Sequence, residues 1–394
     1  MYLTSFIHRE DLFHLTERWL CARPEPEDGA RITEILICDG FVVSETLRTL
    51  TQHLLEMIYD KPFHMEPIRF KGELRDLLCL NPPGINPRVD ELVRKYRNNP
   101  DFFYREAPIS GITSLDREGN LIGVSRIKRP RRIAEKANRY IANWIFKLVQ
   151  AKAKTMAEKR AQELGVPLER LMTSKEEMAR EFTGAEERIT EMFKEGTIKL
   201  DKASLTIHDV GGIKIIAEAE KLSHLQEKLF HHPLIKVVNK EAYEGDYQAE
   251  SLILEVSWDK ESICGRYREG RAWENHLNRG IPEDRLRKGI EIFLEGTLPT
   301  LNIELILTTF PNLVESELGR SIHEERIIAQ RDHKVYKGYI PLNVEFLIEY
   351  LFAVGLSPQA HINGIPVKLW GRYLPDTISF HIRNLYQMPE YGAL

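Results

Sequence analysis

The sequence predicts an α+β protein: a mixed β-sheet flanked by helices, with helical insertions and an additional α/β region at its N-terminal end. Strand signals come from residues 213–216, 252–258 and 301–309, where β-branched and other apolar residues run or alternate with polar ones. Helix signals come from Ile133, Ala137, Tyr140, Ile141, Trp144 and Leu148, and again from Leu222, Leu225 and Leu229, all at helical spacing. Two charged stretches, about 150–200 and 259–299, read as insertions. The first has too few large apolar residues to build a core alone.

With 394 residues, 42% hydrophobic and 29% charged, the chain is long enough for two or three domains. Its net charge of −4 makes no global demand for nucleic acid or an anionic membrane, so any such contact must come from a local patch. No apolar run approaches the roughly 20 residues that span a bilayer, and the first residues are too acidic and mixed for a signal peptide. A cytoplasmic location is expected. Cys21, Cys38, Cys79 and Cys264 show no C-x-x-C spacing, which argues against a zinc site and a disulfide framework.

In the first 115 residues, 10–20, 44–59 and 89–97 read as helices, and 32–38 as a strand closed by a turn at Asp39-Gly40. The stretch 81–87, with three prolines, marks a loop. No chemistry motif stands out there, and His8, His14, His53 and His64 lack metal-ligand spacing.

After a turn at residues 116–120 and a short strand at 121–124, residues 125–139 carry seven positive charges against one acid, Glu135. Pro130 suits a helix start. Arg132, Lys136 and Arg139 then form a stripe beside the apolar one, and Arg126 and Lys128 alternate along the preceding segment. Five cations converging on one spot would suit polyphosphate or an RNA backbone; a solvated helix face is the plainer alternative. Further on, Ser174 with Glu177 three residues later reads as a helix N-cap.

At 204–219 an alternating run leads into Asp209, two glycines and the strand 213–216. The glycines allow a turn or a close approach, so Asp209 can project into a cleft or simply sit in a turn. After the helix at 220–231 come a strand at 235–238 and a polar loop with Tyr243 and Tyr247, either able to offer a ring face to a base or to cap a sheet edge. In the strand 301–309, Ile303, Leu305 and Leu307 share one face, leaving Glu304 with Ile306 and Thr308 on the other. An acid there is costly unless paired, metal-bound or exposed. Asp209 and Glu304 are the natural pair for Mg²⁺, which takes its other ligands from water and substrate phosphates. A helix at 314–326 bears His323, another lies at 344–354, and the tail from 358 reads as short strands and loops.

In that order the parts resemble the synthetase domain of the RelA/SpoT nucleotide pyrophosphokinases over about residues 120–345. The family's R-x-K segment and following lysine are matched by Arg126-Ile-Lys128 and Lys136. Its D-x-x-G-x-R is matched by Asp209-Val-Gly-Gly212-Ile-Lys214, with lysine for arginine. Its G-Y-R-S-x-H loop corresponds to residues 246–251, where only Tyr247 survives, and its E-x-Q-x-R-T strand to 304–309, keeping Glu304 and Thr309. His323 is the counterpart of the helix histidine. The resemblance implies a nucleotidyltransferase-like domain at 116–345, between an N-terminal region (1–115) and a C-terminal extension (346–394).

It also implies ATP held by Arg126, Lys128 and Lys136, Mg²⁺ on Asp209 and Glu304, and Tyr247 stacked on the acceptor base; Arg132 and Arg139 of the basic stripe, and Lys214 at the motif's arginine position, are added as candidate phosphate ligands. Lys240 and His323 are further candidates. The reaction implied is transfer of pyrophosphate from ATP to a ribose 3′-hydroxyl, of a guanosine nucleotide as in (p)ppGpp synthesis or of a tRNA end, with Glu304 assisting deprotonation. The family's hydrolase H-D motif is not seen in residues 1–115. The eroded loop and strand motifs remove polar contacts worth about 1–3 kcal/mol each, so either the acceptor differs, the activity is weak, or the chain is a catalytically lapsed nucleotide- or RNA-binding regulator.

Overall fold

The computed structural model describes residues 1–80, 86–243, 248–319 and 339–388. Its N-terminal part comprises β1 (Tyr2–Leu3), α1 (Arg9–Leu20), α2 (Asp28–Glu56), β2 (His64–Phe70), α3 (Lys71–Leu80), α4 (Pro87–Asn98) and β3 (Pro108–Leu115). The middle comprises β4 (Leu121–Ile127), α5 (Pro130–Glu163), α6 (Lys175–Glu195), β5 (Thr206–Ile207), β6 (Gly211–Ile216) and α7 (Ala219–Phe230). Then come β7 (Ile235–Tyr243), β8 (Ala249–Ser257), α8 (Lys260–Glu269), α9 (Glu283–Arg287), β9 (Thr300–Thr308), α10 (Phe310–Leu318), α11 (Tyr339–Leu356) and α12 (Pro375–Leu385). The architecture is a mixed α+β one, as the alternation of strand and helix signals predicts.

Seven strands form one sheet in the order β2-β3-β4-β6-β9-β8-β7, and β1 pairs with β5 in a small parallel ribbon. Within the large sheet β6 and β9 run parallel and every other pair is antiparallel. The two-residue period splits its residues cleanly. Ile213, Ile215, Leu305 and Leu307 join Val43 and Leu47 of α2 in the larger core. Val124 and Ile216 join Leu74, Leu78, Val89, Leu92, Leu313 and Val314 of α3, α4 and α10 in a smaller core on the opposite face. Arg126, Gly212, Lys214 and Glu304 belong by register to this second face.

Residues 32–38, expected as a strand, lie instead inside the 29-residue α2. A short apolar run does not distinguish a buried strand from a helix enclosed on most sides. Here Ile32, Ile35, Ile37, Cys38, Val42 and Val43 are all buried, and Asp39 is no turn residue. Its carboxylate accepts from the His8 main-chain N–H at 2.9 Å and lies 2.5 Å from His8 Nδ1, while His8 Nε2 lies 2.7 Å from the Phe293 carbonyl oxygen.

Ser174 and Glu177 form the expected reciprocal cap of α6, and Gly196 ends that helix at φ 67°. Gly184 sits within it. The tail carries the helix α12 where short strands were expected; among the described residues it contributes no strand. The division expected near residue 115 falls at the turn joining β3 to β4, which are neighbours in the same sheet, and that near 345 falls inside α11. By length and composition α11 is a candidate membrane span, the sole one among the described residues, but most of it is buried against α2 and α5.

Candidate functional site

The segment between β5 and β6 is held from both sides. Thr4 N–H donates to the Ile207 carbonyl at 3.0 Å, and Ser5 Oγ donates to the Asn302 carbonyl at 2.7 Å while accepting from Gly211 N–H at 3.2 Å. Asn302 N–H in turn donates to the Thr4 carbonyl at 3.0 Å. The first residues of the chain thus tie the Asp209 segment to the start of β9. On the other side, Lys128 N–H donates to the Val210 carbonyl at 2.7 Å, extending the β4–β6 ladder by one step.

That step sets Lys128 beside Asp209. The Lys128 ammonium donates to Asp209 Oδ2, and Lys136, from the second turn of α5, donates to the same oxygen at 2.7 Å. Burial pushes the Asp209 carboxyl up, but the two ammoniums outweigh it and hold it at about 2. Burial pulls Lys128 below the ordinary lysine range despite Asp209 and Glu304. Asp209 Oδ1 is buried and has no hydrogen-bond partner.

Glu304 lies on β9 opposite Gly212 of β6 and Ile253 of β8. Its Oε1 accepts from Ser251 Oγ at 3.3 Å. Burial raises its pKa above the usual carboxylate value, with Lys128 opposing and Asp209 reinforcing the shift. Gly212 keeps the approach open: a Cβ there would stand 3.6 Å from Glu304 Oε2.

A cleft beside this pair is lined by Arg126, Gly212, Lys214, Glu304 and Glu317, with Leu74, Val124 and Leu313 among its apolar walls. Its atom-free space is about 460 Å³ with the open mouth included. Lys214 does not point its charge at Asp209; its ammonium lies 3.5 Å from Glu317 Oε1. Burial lowers the Lys214 pKa, while Glu317, also buried, is held at about 2 by Lys214, Lys71, Arg126 and Arg75.

The five cations of the basic segment therefore divide. Lys128 and Lys136 meet on Asp209, and Arg126 lines the neighbouring cleft. Arg132 pairs with Glu135, the one acid in the run, and Arg139 lies 5.5 Å from the Tyr140 ring centroid. Lys240 sits on the edge strand β7 and pairs with Glu250 at 3.1 Å. Tyr247 and His323 lie outside the described residues.

The donor set suits a hard divalent cation. Asp209 Oδ1 is an unsatisfied carboxylate oxygen, and Glu304 is a neighbouring acid with a single weak contact. Among the described residues no group of three or more His, Cys, Asp or Glu side chains comes together. The protein would thus supply two carboxylates, and phosphates and water the remainder, which is the pattern of Mg²⁺.

Glu317, Lys71 and Arg75 have no counterpart in the sequence reading. Their link crosses some 240 residues, and a glutamate in VESEL looks like an ordinary helix-surface acid. Ser251 was legible only as the end of a loop; it lies inside β8, facing Glu304. No protein-family model matches the chain, and no curated protein matches it.

Proposed function

We propose that the chain is an ATP-dependent pyrophosphokinase or related nucleotidyltransferase of the RelA/SpoT kind, transferring pyrophosphate to the 3′-hydroxyl of a guanosine nucleotide or of a tRNA end. The observation that carries this reading is a cluster of charges: two lysines on a strongly acidic Asp209, with Glu304, its pKa raised, within their field.

In this reading Lys128 and Lys136 exchange their contact with Asp209 for the phosphates of ATP, as charge-assisted donors. Arg126 holds the triphosphate from the adjoining strand. The acceptor's 3′-oxygen attacks the β-phosphorus of ATP, the bridging bond to the α-phosphate breaks, and AMP leaves. Glu304, whose raised pKa suits a general base, takes the hydroxyl proton. When bound, Mg²⁺ on Asp209 and Glu304 supplies charge neutralisation at the phosphates. Tyr247 would stack on the acceptor base. A cytoplasmic site of action goes with ATP as donor.

A second reading has its own support. Asp209 already pairs with both lysines, and Lys214 is paired with Glu317. Those contacts suit a nucleotide- or RNA-binding regulator without turnover. The test is incubation with Mg²⁺ and β-labelled ATP together with GDP, GTP or bulk tRNA. Label moving to one acceptor supports the enzyme. Saturable nucleotide binding with no transfer to any of the three supports the regulator and overturns the enzyme.

A further inference from the structure

His53, in the last turn of α2, and His232, in the turn between α7 and β7, meet across 179 residues of sequence. Their Nε2 atoms lie 3.1 Å apart, with ring centroids at 5.3 Å and ring planes crossing at 76°. The centroid spacing exceeds the nitrogen spacing by nearly two ring radii, so the two nitrogens point at each other. A metal ion held on that line by both would need them about 4.1 Å apart, twice the zinc–nitrogen distance. The contact is a hydrogen bond between two imidazoles.

A further contact places its proton. The Leu234 main-chain N–H donates to His232 Nδ1 at 3.2 Å, so that nitrogen is bare and His232 carries its proton on Nε2. His53 Nε2 then accepts, which puts the His53 proton on Nδ1. Both rings are neutral in this arrangement. A proton added to His53 sets two N–H groups against each other, and one added to His232 Nδ1 opposes the Leu234 N–H. Either way one of the two bonds breaks.

The surroundings do not favour the charged form. Among the described residues neither ring touches a carboxylate. On α2, Glu56 already accepts from the Gln52 amide at 2.8 Å. On the α7 side, the Lys228 ammonium donates to the Met57 carbonyl at 2.8 Å, Lys221 lies 4.4 Å from the Tyr59 ring centroid, and His231 Nδ1 donates to the Glu227 carbonyl at 2.9 Å. Burial and His53 both pull the His232 pKa down. The contribution of the pair is therefore fully present above about pH 6.5, the unfolded value, and is lost as pH falls through the lower folded one.

We propose that His53 and His232 form a proton-operated latch, which fastens the α7–β7 turn to the end of α2 while both rings are neutral and lets go when the pair takes up a proton. α7 is the crossover from β6, which carries Gly212, to the edge strand β7. The latch thus acts on the connection between a strand of the candidate site and the sheet edge. It is independent of the pyrophosphokinase reading.

The test is a double-mutant cycle of His53→Ala and His232→Ala in the full chain, with EDTA present, read from the unfolding equilibrium constant at pH 8 and at pH 5. The expected result is a coupling of about 2- to 10-fold at pH 8, the worth of one hydrogen bond, and none at pH 5. No coupling at pH 8, or the same coupling at both values, overturns the latch. Side-chain nitrogen NMR of the histidine-labelled wild type, with the two rings assigned from His53→Gln and His232→Gln, covers the case in which an alanine variant does not fold. At pH 8 it should show His232 protonated on Nε2 and His53 on Nδ1, and at pH 5 that pairing of tautomers should be gone. His232 carrying its proton on Nδ1 at pH 8, or tautomers unchanged down to pH 5, contradicts the inference.

Discussion

Lys136 reaches Asp209 Oδ2 at 2.7 Å across 73 residues of sequence, on the same oxygen that Lys128 holds. One carboxylate oxygen thus takes two ammoniums while its twin stays buried and unpartnered. In the proposed reading this asymmetry would serve two purposes: the lysines would move to an incoming phosphate, and Oδ1 would be left for a cation.

Replacing Lys136 by glutamine removes one of the two donors and leaves Asp209 with Lys128. ATP affinity is expected to fall by about tenfold, the worth of one charge-assisted hydrogen bond. Equilibrium binding of a fluorescent ATP analogue measures it. An unchanged dissociation constant would remove Lys136 from the ATP site.

Asp209 also links stability to pH. Its folded pKa of about 2 lies below the unfolded carboxylate value near 3.9, so its contribution is fully present above the unfolded value and is lost as pH falls toward 2. The shift corresponds to roughly 2–3 kcal/mol. Chemical denaturation of wild type and Asp209→Asn should differ by that amount at pH 6 and converge near pH 2. A constant difference would assign the effect to packing.

The sign reverses at His8. Its pKa is raised: burial works against the charged ring, but Asp39 outweighs it, and both ring nitrogens have oxygen partners. The contribution of this pair is therefore full below about pH 6.5 and declines as pH rises through the higher folded value. Asp39→Asn should cost about 3–5 kcal/mol at pH 6, because a buried charge loses its partner, and less at pH 9. An equal cost at both values would contradict a charged His8.

The two glycines after Asp209 are predicted to behave differently. A Cβ on Gly211 would stand 2.9 Å from Ile303 Cδ1 and 3.0 Å from Val43 Cγ1, so Gly211→Ala should lower stability by about 1–3 kcal/mol. At Gly212 the nearest atom is 3.6 Å away, so Gly212→Ala should leave stability nearly unchanged, while Gly212→Val crowds Glu304 and lowers turnover. Thermal unfolding and transfer assays on the three variants check this, and equal destabilisation by both alanines would refute it.

Much of the sheet was legible because strand periodicity survives in a single sequence. The alternation around Glu304 placed that residue on the face opposite Ile303, Leu305 and Leu307, and the structure keeps it there. The helix after Pro130 was equally plain. What could not be read was pairing over distance. The Thr4 and Ser5 contacts to residues 207–211 and the capture of Lys214 by Glu317 leave no local pattern. α2 was misread because its apolar run is buried on most sides and shows no single stripe. The Arg132–Glu135 pair, three residues apart on a helix, was within reach of the sequence and takes Arg132 out of the convergent set.

The central claim is pyrophosphate transfer organised by Asp209. The measurement that tests it is the initial rate of β-label transfer from ATP to GDP, GTP or tRNA in wild type and in folded Asp209→Ala under saturating Mg²⁺. The account predicts transfer to one of these acceptors by wild type and a loss of roughly 100-fold or more in the variant, the scale for losing a charge-stabilising group. No transfer by wild type, or equal rates in the two proteins, would contradict it.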